Sequence, residues 1–165
     1  MTENVSSHYE LAQICMNGHV VTDTARDYPQ RTSKVCRECG EATITTCPGC
    51  NSEIPGEYIV PGVYSAVSHF RKPAYCGSCG RAFPWTERAL TALKEMAKEA
   101  DELSAEDQKA LGDSFEDVVA EGPRAALGLS RLRRLLPKVA KPTAEAMKRV
   151  LSDVVSEATK QQLGL

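Results

Sequence analysis

Cys36-Arg37-Glu38-Cys39-Gly40 and Cys47-Pro48-Gly49-Cys50 stand almost back to back, and these two pairs decide how the N-terminal half folds. Two cysteines separated by two residues close a tight turn that aims both sulfurs at one point. The glycine after the second cysteine, Gly40, can take the left-handed backbone that completes such a turn. A third pair, Cys76-Gly77-Ser78-Cys79-Gly80, lies downstream, and Cys15-Met16-Asn17-Gly18-His19 lies upstream. The chain holds 7 cysteines, and all of them fall between Cys15 and Cys79.

Zinc takes four tetrahedral ligands of thiolate and imidazole type, usually two from each knuckle. Three Cys-x2-Cys pairs and one Cys-x3-His pair supply Cys15, His19, Cys36, Cys39, Cys47, Cys50, Cys76 and Cys79, enough for two Zn2+ with no thiol left over. Spacing favours a sequential arrangement, with Cys15, His19, Cys36 and Cys39 around one ion and Cys47, Cys50, Cys76 and Cys79 around the other. Each site then spans a loop long enough for a β-hairpin. A cross-brace, in which the first and third knuckles share an ion, stays open and needs interleaved topology. His8 and His69 have no cysteine at ligand spacing and read as ordinary strand or loop residues.

Three segments are matched to this arrangement: Cys15 to Val20, Cys36 to Cys50, and Tyr75 to Leu90. Together they resemble an uncharacterised bacterial family, a domain of unknown function with zinc-ribbon character. The likeness covers about residues 8–93. It implies the same ligand set and a bacterial cytoplasmic protein, and it implies no activity. More loosely, the four knuckles resemble the double zinc ribbons appended to many bacterial proteins as interaction modules.

Composition agrees with a metal-built module. Aromatic residues make up only 5%, so no large core of rings is available. A small domain of that kind buries too little apolar surface to hold itself together without a staple. No stretch approaches the roughly 20 apolar residues that cross a bilayer, and no basic segment followed by an apolar run marks a secretory leader. A cytoplasmic location is expected, where thiols stay reduced and paired cysteines serve as metal ligands rather than disulfides.

Val20-Val21-Thr22, Thr43-Ile44-Thr45-Thr46 and Tyr58-Ile59-Val60 read as short strands, punctuated by turns such as Ile54-Pro55-Gly56. After Phe83-Pro84-Trp85 the pattern becomes helical. The expected fold is therefore α+β: a double zinc ribbon of short β-hairpins over residues 1–82, then a helical domain of about four helices over 83–165. Thr86 is read as the N-cap of the first helix, with Leu90, Leu93, Ala97 and Ala100 on one face. Ser104 with Asp107 three residues on opens a second helix that carries Leu111, Phe115 and Val118. Gly122-Pro123 separates it from a third, Pro123 to Leu136, stopped by Pro137. Pro142-Thr143 opens a fourth, with Met147, Val150, Leu151, Val154 and Ala158 on one side.

No catalytic signature accompanies the ligands. Eight donors divide into two full sets of four, whereas a catalytic zinc keeps a position open for water. His-Glu-x-x-His, a His-x-Glu followed by the Pro-Cys-x2-Cys of zinc deaminases, a phosphate-binding Gly-x4-Gly-Lys and a Gly-x-Ser-x-Gly elbow are all missing from the sequence. The acidic group Glu99, Asp101, Glu102, Glu106 and Asp107 reads as a solvated helix junction. The protein is expected not to be an enzyme.

The net charge of −2 conceals an uneven distribution. Residues 83–122 carry 4 basic and 11 acidic side chains, and residues 123–165 carry 9 basic and 3 acidic. The third helix is the basic one, with Arg124, Arg131, Arg133 and Arg134 around an apolar side made by Ala125, Leu129, Leu132 and Leu136. That pattern packs against the acidic segment, or it meets an outside partner. The expected function is a non-enzymatic zinc-binding interaction or adaptor protein engaging a protein partner. The alternative is a nucleic-acid-binding regulator that uses the ribbon and the basic helix 123–141, with Arg131, Arg133 and Arg134 on the phosphates. Around the last knuckle, Phe70, Arg71, Lys72, Tyr75, Arg81, Phe83 and Trp85 bring rings and cations together, as base stacking requires. Phe83 and Trp85 also suit a packed joint at the helix start.

Overall fold

A computed structural model of the chain describes residues 6–63 and 70–165. His69 lies outside the described residues. The chain divides into two compact units, Met1–Trp85 and Thr86–Leu165.

Among its described residues, the first unit has no α-helix before Pro84 and contains five short strands. β1 (His8–Leu11) pairs antiparallel with β5 (Pro55–Ile59), with Tyr9 opposite Tyr58. β2 (Gln13–Cys15) is the centre of a three-stranded sheet, flanked by β3 (Val20–Thr22) and β4 (Thr43–Ile44). The strand expected at Val20-Val21-Thr22 is β3, whereas the Thr43 and Tyr58 runs contribute shorter or shifted strands. β1 and β2 have no counterpart in the sequence reading. Only Ile14 among their residues is β-branched, and β1 pairs with a strand far along the chain, so local propensity gives little signal.

A compact core sits between these sheets and the knuckles. Ala12, Ile14, Cys47, Ile54, Cys76, Phe83 and Trp85 bury together, with Ile44 and Phe70 packed against them. The Phe83 and Trp85 rings stack with centroids 4.6 Å apart, and the Trp85 indole N–H donates to the Pro73 carbonyl at 2.9 Å. Two of the ligand-spaced cysteines, Cys47 and Cys76, are thus part of the apolar core. Glu10, also buried, accepts the backbone amides of Arg26 and Asp27 at 3.1 Å each and so pins the loop after β3.

The second unit holds five α-helices where about four were expected: α1 (Pro84–Lys98, begun in the first unit), α2 (Ala105–Val119), α3 (Ala125–Leu135), α4 (Lys141–Ser152) and α5 (Glu157–Leu163). α1 starts two residues before the expected cap, because Pro84 suits a first helical position; Thr86 lies within the helix and is buried. The last expected helix is two. α4 ends at Ser152, and Ser156 caps α5 by accepting the Thr159 amide at 3.2 Å. Ala158 consequently belongs to α5 and is exposed, not part of the α4 face. α3 begins after Pro123 and runs into a 3-10 turn, Leu136–Lys138, that contains Pro137.

Leu93, Ala97, Leu111, Phe115, Val118, Leu132, Leu135, Met147 and Leu151 form the buried faces of the helices. α2 and α3 approach closely at Gly128, where an added Cβ would stand 2.8 Å from Val118 Cγ2 and 3.0 Å from the Ser114 carbonyl. Ser104 caps α2 as expected, accepting the Asp107 amide at 3.2 Å.

Candidate metal centres

Three knuckles are copies of one backbone turn. In each, the amide of the first cysteine donates to the carbonyl five residues on: Cys36 to Glu41 at 2.7 Å, Cys47 to Ser52 at 2.8 Å and Cys76 to Arg81 at 2.8 Å. The residue after the second cysteine returns a bond to the first cysteine's carbonyl, from Gly40, Asn51 and Gly80. All three adopt positive φ, with 75°, 59° and 73° respectively. Asparagine tolerates the left-handed region better than other side-chain-bearing residues, so Asn51 does at the third knuckle what glycine does at the others. Flanking residues then pair across each turn as isolated bridges, Val35 with Ala42, Thr46 with Glu53 and Tyr75 with Ala82.

The first knuckle differs by one residue. Gly18, at φ 90°, takes the left-handed position before the second ligand rather than after it. His19 then follows, and its longer side chain spans the extra distance with Nδ1. The Lys72 ammonium donates to the Gly18 carbonyl at 2.9 Å and holds this turn in place.

These turns gather the eight side chains into two groups. Cys15, His19, Cys36 and Cys39 form one, and Cys47, Cys50, Cys76 and Cys79 the other; within each group the donor atoms all lie within 4.8 Å of one another. This is the sequential arrangement that spacing favoured. In every knuckle the first cysteine is buried, and in the three Cys-x2-Cys knuckles the second faces solvent.

The spacings test whether an ion fits. With metal–sulfur bonds of about 2.3 Å and metal–nitrogen bonds of about 2.0–2.1 Å, a tetrahedral site has sulfur–sulfur edges of about 3.8 Å and sulfur–nitrogen edges of about 3.5–3.6 Å. Cys15 and Cys39 sulfurs are 3.8 Å apart, Cys47 and Cys79 3.8 Å, and Cys50 and Cys76 3.7 Å. His19 Nδ1 is 3.5 Å from the Cys15 sulfur and 3.6 Å from that of Cys36. A disulfide would bring sulfurs to about 2.05 Å, and every cysteine is free. Each cluster can hold one metal ion.

Hydrogen-bond donors surround the sulfurs. The His19 amide reaches Cys15 at 3.2 Å, the Gly49 amide reaches Cys47 at 3.4 Å and the Asn17 side-chain amide reaches Cys39 at 3.6 Å. His19 Nε2, facing away from the cluster, lies 3.8 Å from the Glu38 carboxylate. Such a partner orients a ligating imidazole through its second nitrogen.

Thiol acidities follow from these contacts. The Ser52 hydroxyl, helped by the amides of Cys79 and Ser78, pulls Cys76 down to about 6. Ser52 also lowers Cys50, and the Glu41 amide lowers Cys39. At Cys79 the Arg81 amide pulls downward, but desolvation and the side chains of Cys50, Cys76 and Cys47 outweigh it and push the thiol up to about 11. Burial likewise raises Cys15. Four sulfurs this close cannot all ionise cheaply without a cation among them.

Residues 8–163 match the model of a family described as an uncharacterised protein conserved in bacteria, DUF2321. The chain belongs to that family. The match continues through the helical unit, well past the segment that carried the resemblance in the sequence. No curated protein and no solved structure is significantly similar to this DUF2321 chain.

Other residues singled out in the sequence fall elsewhere. Arg124 makes a two-pronged contact with Asp117, at 2.8 and 3.3 Å, and Lys138 lies 3.5 Å from Asp107. Arg133 donates twice to the Gln162 carbonyl, at 3.2 and 2.6 Å. Arg131 is close enough to Asp113 to help lower its pKa, behind the larger effect of Lys109, while Arg134 is exposed. Glu99, Asp101, Glu102 and Glu106 are exposed around the α1–α2 junction. Among the described residues, no helix is long and apolar enough to cross a membrane.

Sequence reasoning missed Ser52 and Asn51. Asn51 was recoverable by laying the third knuckle over the other two, where it occupies the place of Gly40 and Gly80. Ser52 carries no comparable signal, because the other knuckles have Glu41 and Arg81 at that position.

Proposed function

We propose that this chain is a non-enzymatic zinc protein, in which two structural Zn2+ ions fold the ribbon unit and present it to a protein partner. The observation that carries this reading is the donor geometry: two clusters, each with a full set of four side-chain donors at tetrahedral spacing. Soft thiolates with at most one imidazole select zinc over hard cations such as magnesium or calcium. When bound, the ions supply folding free energy rather than a reactive water, because the protein donors already complete the coordination. Unpaired cysteines suit the reduced conditions of the cytoplasm.

The preference for a protein partner over nucleic acid rests on the basic helix. Arg124, Arg133 and Lys138 already bind groups within the helical unit. Phe83 and Trp85 are buried at 2% and 3% exposure, so neither ring is free to stack on a base.

Metal analysis of protein purified without added metal should return two zinc ions per chain. Cobalt substitution should give the spectrum of tetrahedral thiolate coordination at both sites. A tagged pull-down with and without nuclease then separates the two partner classes: a defined protein that survives nuclease is the expected result. Loss of all captured material on nuclease treatment, or a five-coordinate cobalt spectrum with bound water, would overturn this reading.

A further inference from the structure

The outer face of the β1–β5 sheet carries a shallow groove of about 230 Å³. Tyr9 and Tyr58 form one wall; they face each other across the strands with ring centroids 4.8 Å apart. Pro55, Phe70 and Pro73 complete the apolar lining, and Glu57 and Arg71 contribute one charge of each sign. Although Tyr9 and Tyr58 are aromatic residues in a chain with few of them, they are 61% and 50% exposed. Among the described residues, neither tyrosine hydroxyl makes a hydrogen bond.

From this groove we propose that the ribbon unit docks a proline-rich segment of a partner protein in the polyproline II conformation. The proposal rests on the protein-partner reading given above and names the surface and the ligand class. Four properties point to that occupant. The groove is smaller than the roughly 300–1,000 Å³ of small-molecule sites, so it suits side chains laid across a surface rather than an enclosed ligand. Its lining is aromatic and prolyl, the surface on which polyproline II ligands pack. Such a ligand has no internal hydrogen bonds and presents its carbonyls outward, where the two tyrosine hydroxyls stand as unused donors. Glu57 and Arg71 cancel, which matches an uncharged proline-rich stretch and gives no positive track for a phosphate backbone.

The test is a titration of the full-length, zinc-loaded protein with a synthetic proline decamer, read by amide NMR. Saturable shifts at Tyr9, Glu57, Tyr58 and Phe70 are expected. Tyr58→Ala should weaken binding by roughly tenfold or more, as loss of an aromatic anchor does. Tyr58→Phe removes only the hydroxyl and should weaken it less, and zinc content checks that both variants remain folded. Silence of the groove at millimolar peptide, or an equal response to a thymidine decanucleotide, overturns the proposal. The two readings are separable: a partner captured by the wild-type chain and retained by Tyr58→Ala overturns the groove as its docking surface while keeping the adaptor reading.

Discussion

The Ser52 hydroxyl lies 3.3 Å from the Cys76 sulfur, a contact bridging two knuckles that are far apart in sequence. The same oxygen is 3.0 Å from Cys50, so one hydroxyl sits beside two ligands of the second cluster. The first cluster has His19 and the Asn17 amide instead. Outer contacts of this kind stabilise the ionised sulfur and orient it toward the ion.

Ser52→Ala should therefore weaken zinc binding at the second site by about 10–100-fold, the usual effect of losing such a partner. The first site should be unchanged. Competition with a chromophoric chelator, which resolves a fast and a slow ion, checks both statements. Equal release rates in wild type and variant would show that the hydroxyl has no such role.

His19→Ala should lower the stoichiometry from two zinc ions to one. Its Nδ1 supplies the fourth donor of the first cluster, and the three remaining sulfurs leave that site incomplete. The second cluster shares no donor with it and should retain its ion. Metal analysis after gel filtration reads the outcome.

Removing zinc should unfold the ribbon unit while leaving much of the helical unit in place. Structural zinc contributes on the order of 10–16 kcal/mol of apparent free energy in comparable peptides, and the buried Cys47 and Cys76 belong to the ribbon's apolar core. The helices draw instead on Leu93, Leu111, Phe115, Leu132 and Leu151. Chelation should collapse the amide shift dispersion of residues 8–82, with most of the helical circular dichroism signal retained. Because ligands must be deprotonated to bind metal, acidification should have the same effect. In the second cluster Cys76 is held down to about 6, chiefly by the Ser52 hydroxyl, whereas Cys79 is pushed up to about 11.

Gly18→Ala and Gly40→Ala should differ in cost although both glycines have positive φ. At Gly40 the space beyond the backbone is open, so only the left-handed conformation is penalised, at about 1–2 kcal/mol. At Gly18 a Cβ would stand 2.6 Å from Lys72 Nζ and 2.8 Å from Trp85 Cβ. Lysine can move aside, but the Trp85 Cβ is fixed by the buried ring. Gly18→Ala should thus lose a further 1–3 kcal/mol, the range typical of overpacking. Thermal melts of the zinc-loaded variants, compared at equal metal content, measure the difference.

The four ligand-spaced pairs and the division into a cysteine-rich half and a helical half were legible in the sequence alone. Knuckle turns need cysteines at fixed short spacing, and amphipathic helices need apolar residues at three- and four-residue steps, so both leave local signatures. What the chain order left open, tertiary structure decided. It grouped the knuckles as first with second and third with fourth, because β2 holds Cys15 between the hairpin that carries His19 and the strand that follows Cys39. It formed β1 from a segment with little strand propensity, by pairing it with β5 some 45 residues away. It also split the final helix in two at a local Ser156 cap and turned Arg124, Lys138 and Arg133 toward Asp117, Asp107 and the Gln162 carbonyl. The knuckle grouping, the β1–β5 pairing and the contacts of the basic segment depend on which groups come within reach in the folded chain, and that is not a property of any short stretch of it.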